Sequence, residues 1–142
     1  MANEVTVRSS FDINNGSLQF RGLPSSFTST MVGKKGPTPG AITVLTTGTD
    51  VDLSQLTTPG MCQLTNLDTI NIIEYGIWDP ETTKYYPLGE LLPGESYAIR
   101  LSRNLQWEYA GVGTGTTGPE TNKLRLRSSN TTCNAIVSAF EA

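Results

Sequence analysis

The chain has 142 residues, enough for one domain with a core, and is 37% hydrophobic but only 16% charged, against about a quarter charged in an average soluble domain. Its formal net charge is −3 and it contains no histidine. This balance argues against a nucleic-acid binder, which shows a basic excess, and leaves nucleophilic catalysis little to work with. Thr, Ser, Asn and Gly supply the missing polarity, which is the chemistry of strands and turns.

No apolar run is long enough to span a membrane. The opening "MANEVTVRSS" has no basic segment followed by an apolar stretch, so the expectation is a chain folded in a cytoplasm, without membrane or cofactor.

Helical periodicity is nearly absent, and short alternating segments recur between turn signals. "EVTVRSS" (4–10) sets Val5 and Val7 against Thr6 and Arg8. With the "NNG" turn and "SLQFR" (17–21), where Leu18 and Phe20 share a face, it reads as an N-terminal hairpin. Residues 22–40, rich in Ser, Thr, Gly and Pro, read as a long loop or extended arm. "AITVLT" (41–46) is a strand, and "DLSQL" (52–56) suits one helical turn capped by Asp52 or Ser54.

"GMCQLTNL" (60–67) and "TINIIEYGI" (69–77) read as paired strands joined at "LDT". Strands follow at 85–91, 96–101 and 106–112, then a flexible glycine-rich loop at 111–122, and two final strands in "KLRLRSS" and "TCNAIVSAF". The expected fold is all-β: a single antiparallel sandwich, or a jelly-roll-like barrel, of nine to ten short strands.

Pro-Gly precedes or opens three of these strands, at 39–40, 59–60 and 93–94. Proline presets φ at the first central position of a turn, and glycine accepts positive φ at the second. All three are expected to be type II corners, features of fold and not of chemistry.

Motifs for chemistry are weak. "GTGTTG" (113–118) matches GxGxxG but leads into Pro119 and a strand, so the anion-binding helix of a dinucleotide site is missing. "GKKG", with Lys34 and Lys35, lacks the spacing of a phosphate loop, and Asp50 with Asp52 lacks the remaining ligands of a calcium loop. No metal site is expected. Cys62 and Cys133, far apart in sequence, read as buried thiols.

Glu74, Asp79, Glu81, Glu90, Glu95 and Glu108 are available for a glycosidase-like pair, but turns and solvated strand faces are their default places. Trp107 and Tyr109 are expected in the core. Trp78, Tyr85 and Tyr86 suit a contact surface or sugar-stacking platform. Lys123, Arg125 and Arg127 share one strand face, suited to solvent, to blunting a sheet edge or to meeting an acidic partner.

The stretch "TTPGMCQLTNLDTINIIEYGIWDPETTKYYPLGELLPGESYAIRLSRNLQWEYA" (57–110), with the closing "KLRLRSSNTTCNAIVSAFEA" and the opening "MANEVTV…NNGSLQF", resembles a group of small tailed-phage virion proteins. They share a Pro-Gly strand, an "NLD…N" turn, an "L.PGE" corner and an aromatic strand. The resemblance covers most of the chain except residues 22–40.

It implies a non-enzymatic role in the phage particle. The first expectation is a capsid decoration (cement) protein, a homo-oligomer such as a trimer, that grips the major capsid protein. Its arm 22–40 would be anchored by Phe27 or Met31. The alternative is a neck, tail or fibre component that binds carbohydrate or receptor through Trp78, Tyr85 and Tyr86. A hydrolase using the carboxylates is the third reading.

Overall fold

The computed structural model describes residues 5–31, 33–103, 105 and 122–142. Among these the protein has twelve strands and no helix, so the all-β expectation holds, with more strands than the nine or ten predicted. The predicted strand 106–112 with Trp107 and Tyr109, the "GTGTTG" segment and most of loop 111–122 lie outside the described residues. Where one domain was expected, the chain divides into two compact units, residues 1–33 and 34–142.

The first unit is a two-stranded ribbon. β1 (Val5–Ser9) pairs with β4 (Ser25–Ser29), and β2 (Asp12–Asn15) pairs with β3 (Leu18–Arg21), all antiparallel. The two pairs are consecutive parts of one hairpin, because Phe11 accepts a hydrogen bond from the Gly22 amide between them (2.7 Å). Its tip is a two-residue turn with Gly16 at φ 57°, the glycine-first arrangement that matches strand twist.

The expected hairpin is therefore present but differently paired: 4–10 returns against 25–29 and not against 17–21. The reading of 22–40 as one loop is corrected too. It contains β4 and the start of β5, because "SSFTS" finds an antiparallel partner in "VTVRS" that supplies its ladder bonds.

The second unit is a sandwich of two four-stranded sheets. The strands are β5 (Thr38–Val44), β6 (Thr49–Asp50), β7 (Pro59–Asn66), β8 (Ile73–Asp79), β9 (Lys84–Leu91), β10 (Ser96–Arg100), β11 (Lys123–Ser128) and β12 (Cys133–Glu141). One sheet runs β10-β7-β12-β5 and the other β6-β11-β8-β9. Every neighbouring pair is antiparallel.

The order has a simple origin. β5 pairs with β12, β6 with β11, β7 with β10 and β8 with β9, so the chain is one long hairpin with its tip at β8–β9. Rolling that hairpin brings β7 beside β12 and β8 beside β11. This is the double Greek-key logic of a jelly roll.

Side-chain alternation closes the two sheets on each other. Leu124 and Leu126 of β11 point inward with Ile73 and Leu91. From the other sheet come Val44, Cys62, Leu64, Ala135, Val137 and Ala139, and all belong to one buried cluster. Ile42, Tyr75, Ile77 and Ile99, partly buried, pack against it. Large leucines and small alanines on facing sheets let the layers interdigitate at native density.

Several local expectations are corrected. The segments 60–67 and 69–77 do not pair. β7 and β8 belong to different sheets, and loop 67–72 carries the chain across the core. Residues 52–56 form no helical turn. Instead Asp52 accepts the Ser54 amide (2.9 Å) and Leu53 closes a β-turn with Leu56.

Of the three Pro-Gly pairs only Pro93-Gly94 is a type II corner, with Gly94 at φ 77° and Glu95 N–H donating to the Leu92 carbonyl (3.0 Å). Gly40 and Gly60 sit inside β5 and β7. At Gly60 the absent side chain makes room for the C-terminus, since a Cβ there would lie 2.7 Å from Ala142 Cα. A Cβ at Gly94 would meet nothing within 4 Å. Gly94→Val should therefore cost only backbone strain, about 1–2 kcal/mol, read as a lower denaturation midpoint.

Both cysteines are free and buried. Cys62 stands opposite Ala139 on β12, six positions along that strand from Cys133, about 20 Å at strand rise and far beyond disulfide reach. Burial pushes the Cys62 thiol up to about 12. Neither thiol should react with a maleimide under native conditions until the sandwich opens, and prompt labelling would contradict the packing.

Candidate interaction surfaces

The inward leucines of β11 force Lys123, Arg125 and Arg127 outward. On the neighbouring strand they stand opposite Trp78, Gly76 and Glu74, and Trp78 in turn stands opposite Tyr85 on β9. The sequence-predicted basic stripe and two of the three predicted aromatics thus meet on one sheet face. Tyr86 does not join them: it is opposite Ile77, on the other side of β9. The side-chain period of two separates consecutive residues.

This face is already satisfied by its own partners. Arg125 donates to Asp50 (Nε to Oδ1, 2.5 Å), with Lys123 Nζ 3.5 Å from Asp50 Oδ2. Arg127 donates to Glu74 Oε2 through Nε (3.0 Å) and Nη2 (2.6 Å). The Arg125 guanidinium lies 3.8 Å from the Trp78 ring centroid and that of Arg127 lies 5.0 Å from Tyr85. Such cation–π contacts occupy the ring faces a sugar would stack on.

The Tyr85 hydroxyl is buried without a hydrogen-bond partner among the described residues. Burial, with the Glu74 carboxylate nearby, pushes it up to about 12. β11 is flanked by β6 and β8, so its charges do not blunt a free edge, and that expectation is corrected.

Three of the carboxylates considered for catalysis are committed elsewhere, and Glu108 lies outside the described residues. Glu74 holds Arg127. Asp79 accepts the Glu81 amide (3.0 Å) and the Thr82 hydroxyl (2.6 Å) in the β8–β9 turn. Glu95 accepts the Leu92 amide (2.7 Å).

Burial raises the Asp50 carboxyl, but the hydrogen bond and charge of Arg125 and the charge of Lys123 more than offset it, leaving its pKa lowered. Hydrogen bonds to Ser54, Asn71, Thr82 and Thr57 likewise lower Asp52, Asp68, Asp79 and Glu141. A depressed carboxylate binds fewer protons folded than unfolded. Its stabilisation is present above the unfolded value and lost as pH falls through the folded one. The urea midpoint should be level above about pH 5 and fall below about pH 4. A midpoint that rose on acidification would contradict these contacts.

The ribbon offers a different surface. Register places Val7 opposite Phe27, Phe11 opposite Gly22, Ile13 opposite Phe20 and Asn15 opposite Leu18. The returning arm has one extra residue between Gly22 and Ser25, where Leu23 and Pro24 face Ser10. That bulge restores the side-chain parity.

Val5, Val7, Phe11, Ile13, Leu18, Phe20 and Phe27 therefore share one face, while Thr6, Arg8, Asp12, Asn14, Gln19, Arg21, Ser26 and Thr28 form the other. Phe11, Leu18, Phe20 and Phe27 are 62%, 59%, 51% and 45% exposed, and the Phe11 and Phe20 rings touch at 5.9 Å between centroids. Of the predicted arm anchors, Phe27 lies on this face and Met31 is half-buried beyond it. Lys34 is exposed, and Lys35 donates to Thr57 (3.0 Å) in the sandwich.

The remaining apolar face went unread in the sequence because the loop assignment broke it at residue 22. The odd-numbered alternation Val5, Val7, Phe11, Ile13 was the signal available.

The class defined by these observations is a rolled-hairpin antiparallel sandwich with an amphipathic β-ribbon at its N-terminal side. In comparisons with known proteins, no family model, no curated protein and no solved structure matches the chain.

Proposed function

We propose that this protein is a non-enzymatic structural component of a tailed-phage particle, a capsid decoration protein that self-associates and holds neighbouring capsid subunits together. The observation that carries the reading is the ribbon, which exposes a row of large apolar side chains outside the sandwich core. A two-stranded ribbon is marginal alone in water, and a contiguous exposed apolar face marks an interaction site.

Three further points support it. The sequence resembles small tailed-phage virion proteins over most of its length. The rolled-hairpin sandwich is an architecture that viral capsid domains use, among other functions. Among the candidates for catalysis or sugar stacking, Glu74, Asp79 and Glu95 are engaged in an ion pair and turns, and the rings of Trp78 and Tyr85 in cation–π contacts.

The test is to add the full-length protein to purified phage heads lacking it. Saturable co-sedimentation, and release of packaged DNA only at higher temperature, is the expected result. Binding to tails or to a glycan array, with none to heads, would overturn the assignment.

A further inference from the structure

The two sheets of the sandwich end in four edge strands, β5, β10, β6 and β9. An edge strand offers unpaired amides and carbonyls to any extended chain, and stable proteins blunt it with proline, a bulge or shortness. Three of the four are blunted. β5 contains Pro39 and, at Gly40, a positive φ of 90°. β6 has two residues. β9 contains Pro87, beside the register shift against β8. β10, "SYAIR", has no proline, no glycine and an unbroken register with β7.

The phase of that register shows which groups are free. The Asn66 amide donates to the Glu95 carbonyl and the Leu101 amide to the Gly60 carbonyl, both at 2.9 Å. Bonded pairs recur at every second residue of an antiparallel ladder. Tyr97 and Ile99 therefore bond β7, while Ser96, Ala98 and Arg100 turn their amides and carbonyls to the open side. All three residues are exposed, and no described strand pairs with that side. Tyr97 stands opposite the buried Leu64, on the core-facing side, yet is 47% exposed.

We propose that β10 pairs antiparallel with β10 of a second copy across a two-fold axis at Ala98, joining two four-stranded sheets into one of eight strands. The contact extends the self-association of the proposed function to a second surface, separate from the ribbon, and is tested apart from it.

The sequence of the strand argues for this occupant. A two-fold at Ala98 sets Ala98 against Ala98 and Ser96 against Arg100, so the free groups of both copies meet in about six main-chain hydrogen bonds. The smallest side chain of the strand sits on the axis. Each Arg100 guanidinium meets a Ser96 hydroxyl, a donor against an acceptor, and the two arginines stand about 14 Å apart along the strands. On the core-facing side Tyr97 of each copy stands opposite Ile99 of the other, in the closer, non-hydrogen-bonded geometry. Aromatic and β-branched side chains make a favourable cross-strand pair, and this one covers the exposed part of Tyr97.

The other edges of the sandwich fit β10 less well, since each presents a proline or only two residues. Main-chain bonds carry strand addition, and a two-fold contact closes at the dimer.

The experiment is sedimentation velocity on the full-length chain over a concentration series, with hydrogen exchange read along β10. Wild type should pass from monomer to dimer. The Ser96, Ala98 and Arg100 amides should exchange fast when dilute and slow as dimer forms, while those of Tyr97 and Ile99 stay protected throughout.

Ala98→Pro removes an amide that β7 does not use, which an edge strand tolerates. It deletes two bonds across the axis, so dimerisation should need about thirtyfold more protein. Ala98→Lys keeps the backbone and sets like charges opposite each other at the axis, with a loss in the same direction. Circular dichroism checks that both variants fold. Ala98→Cys, oxidised with copper phenanthroline, should give a disulfide-linked dimer, because Cα atoms about 5.5 Å apart are within reach and both native cysteines are buried. Lys84→Cys, exposed at the start of β9, is the control for chance collisions.

If wild type dimerises but Ala98→Pro and Ala98→Lys match it, or Ala98→Cys cross-links no better than Lys84→Cys, the β10 contact is wrong and self-association through another surface survives. A monomeric wild type overturns both the contact and the self-association. Protected Ser96, Ala98 and Arg100 amides in that monomer would mean that the chain covers this edge itself. Head binding, scored separately by co-sedimentation, then decides the capsid assignment.

Discussion

Gly76→Ala is expected to lower the stability of the sandwich by about 3 kcal/mol, at the upper end of overpacking costs. Gly76 is buried in the middle of β8, opposite Pro87, where the register between β8 and β9 shifts. A Cβ built there collides with the Tyr86 carbonyl oxygen and approaches Pro87 Cα at 2.9 Å. Both obstacles are backbone, so no side chain can swing away, and β9 must move as a strand.

The consequence reaches the outer face. Trp78 and Tyr85 face each other across the same β8–β9 ladder, and their rings lie under Arg125 and Arg127. Denaturation followed by tryptophan fluorescence should show an earlier midpoint. A midpoint matching wild type within about 0.5 kcal/mol, the scatter of a neutral surface change, would mean that β9 does not approach so closely.

Asn66→Ala is the second large effect, a loss of about 2–3 kcal/mol. Asn66 is 1% exposed. Its amide nitrogen donates to the carbonyls of Asn71 (2.8 Å), Leu91 (3.1 Å) and Leu92 (3.2 Å), and its oxygen accepts the Asp68 amide (2.9 Å). Truncation leaves buried carbonyls without their donor, at a cost of about 1–3 kcal/mol for each unsatisfied group. Partial relaxation keeps the sum below a simple total. Asn66→Asp should be worse at neutral pH, because a carboxylate would face the same carbonyl oxygens with nothing to donate.

The affected loops, 67–72 and 92–95, carry the exposed apolar residues Leu67, Ile70 and Leu92. Hydrogen exchange in Asn66→Ala should therefore accelerate first at the Asp68 and Leu67 amides, which bond Asn66 and the Asn134 carbonyl respectively. Unchanged protection there would show that the loops hold themselves without Asn66.

The sequence by itself determined what each short segment must be. Alternation in "KLRLRS" leaves one apolar and one basic face, so Leu124 and Leu126 could only turn inward and the three basic residues outward. Pro93-Gly94 was legible as a type II corner because both residues act locally on φ. The same dipeptide misled at Gly40 and Gly60. Gly40 holds a positive φ of 90° inside the β5 ladder and not at a corner, and at Gly60 the reason for glycine is the approach of Ala142, a residue 82 positions away in the chain.

Partnership was decided only in three dimensions. Strands signal their faces but not their neighbours, and antiparallel ladders bond equally well to any strand of matching length. Adjacent segments such as 60–67 and 73–79 therefore separated into different sheets once one core had to be closed from both sides. Likewise "SSFTS" reads as loop by composition and became a strand because "VTVRS" lay opposite it. The apolar ribbon face exists only through that pairing and the single bulge beside it, for without the extra residue Phe27 would stand on the face of Arg8 and Arg21.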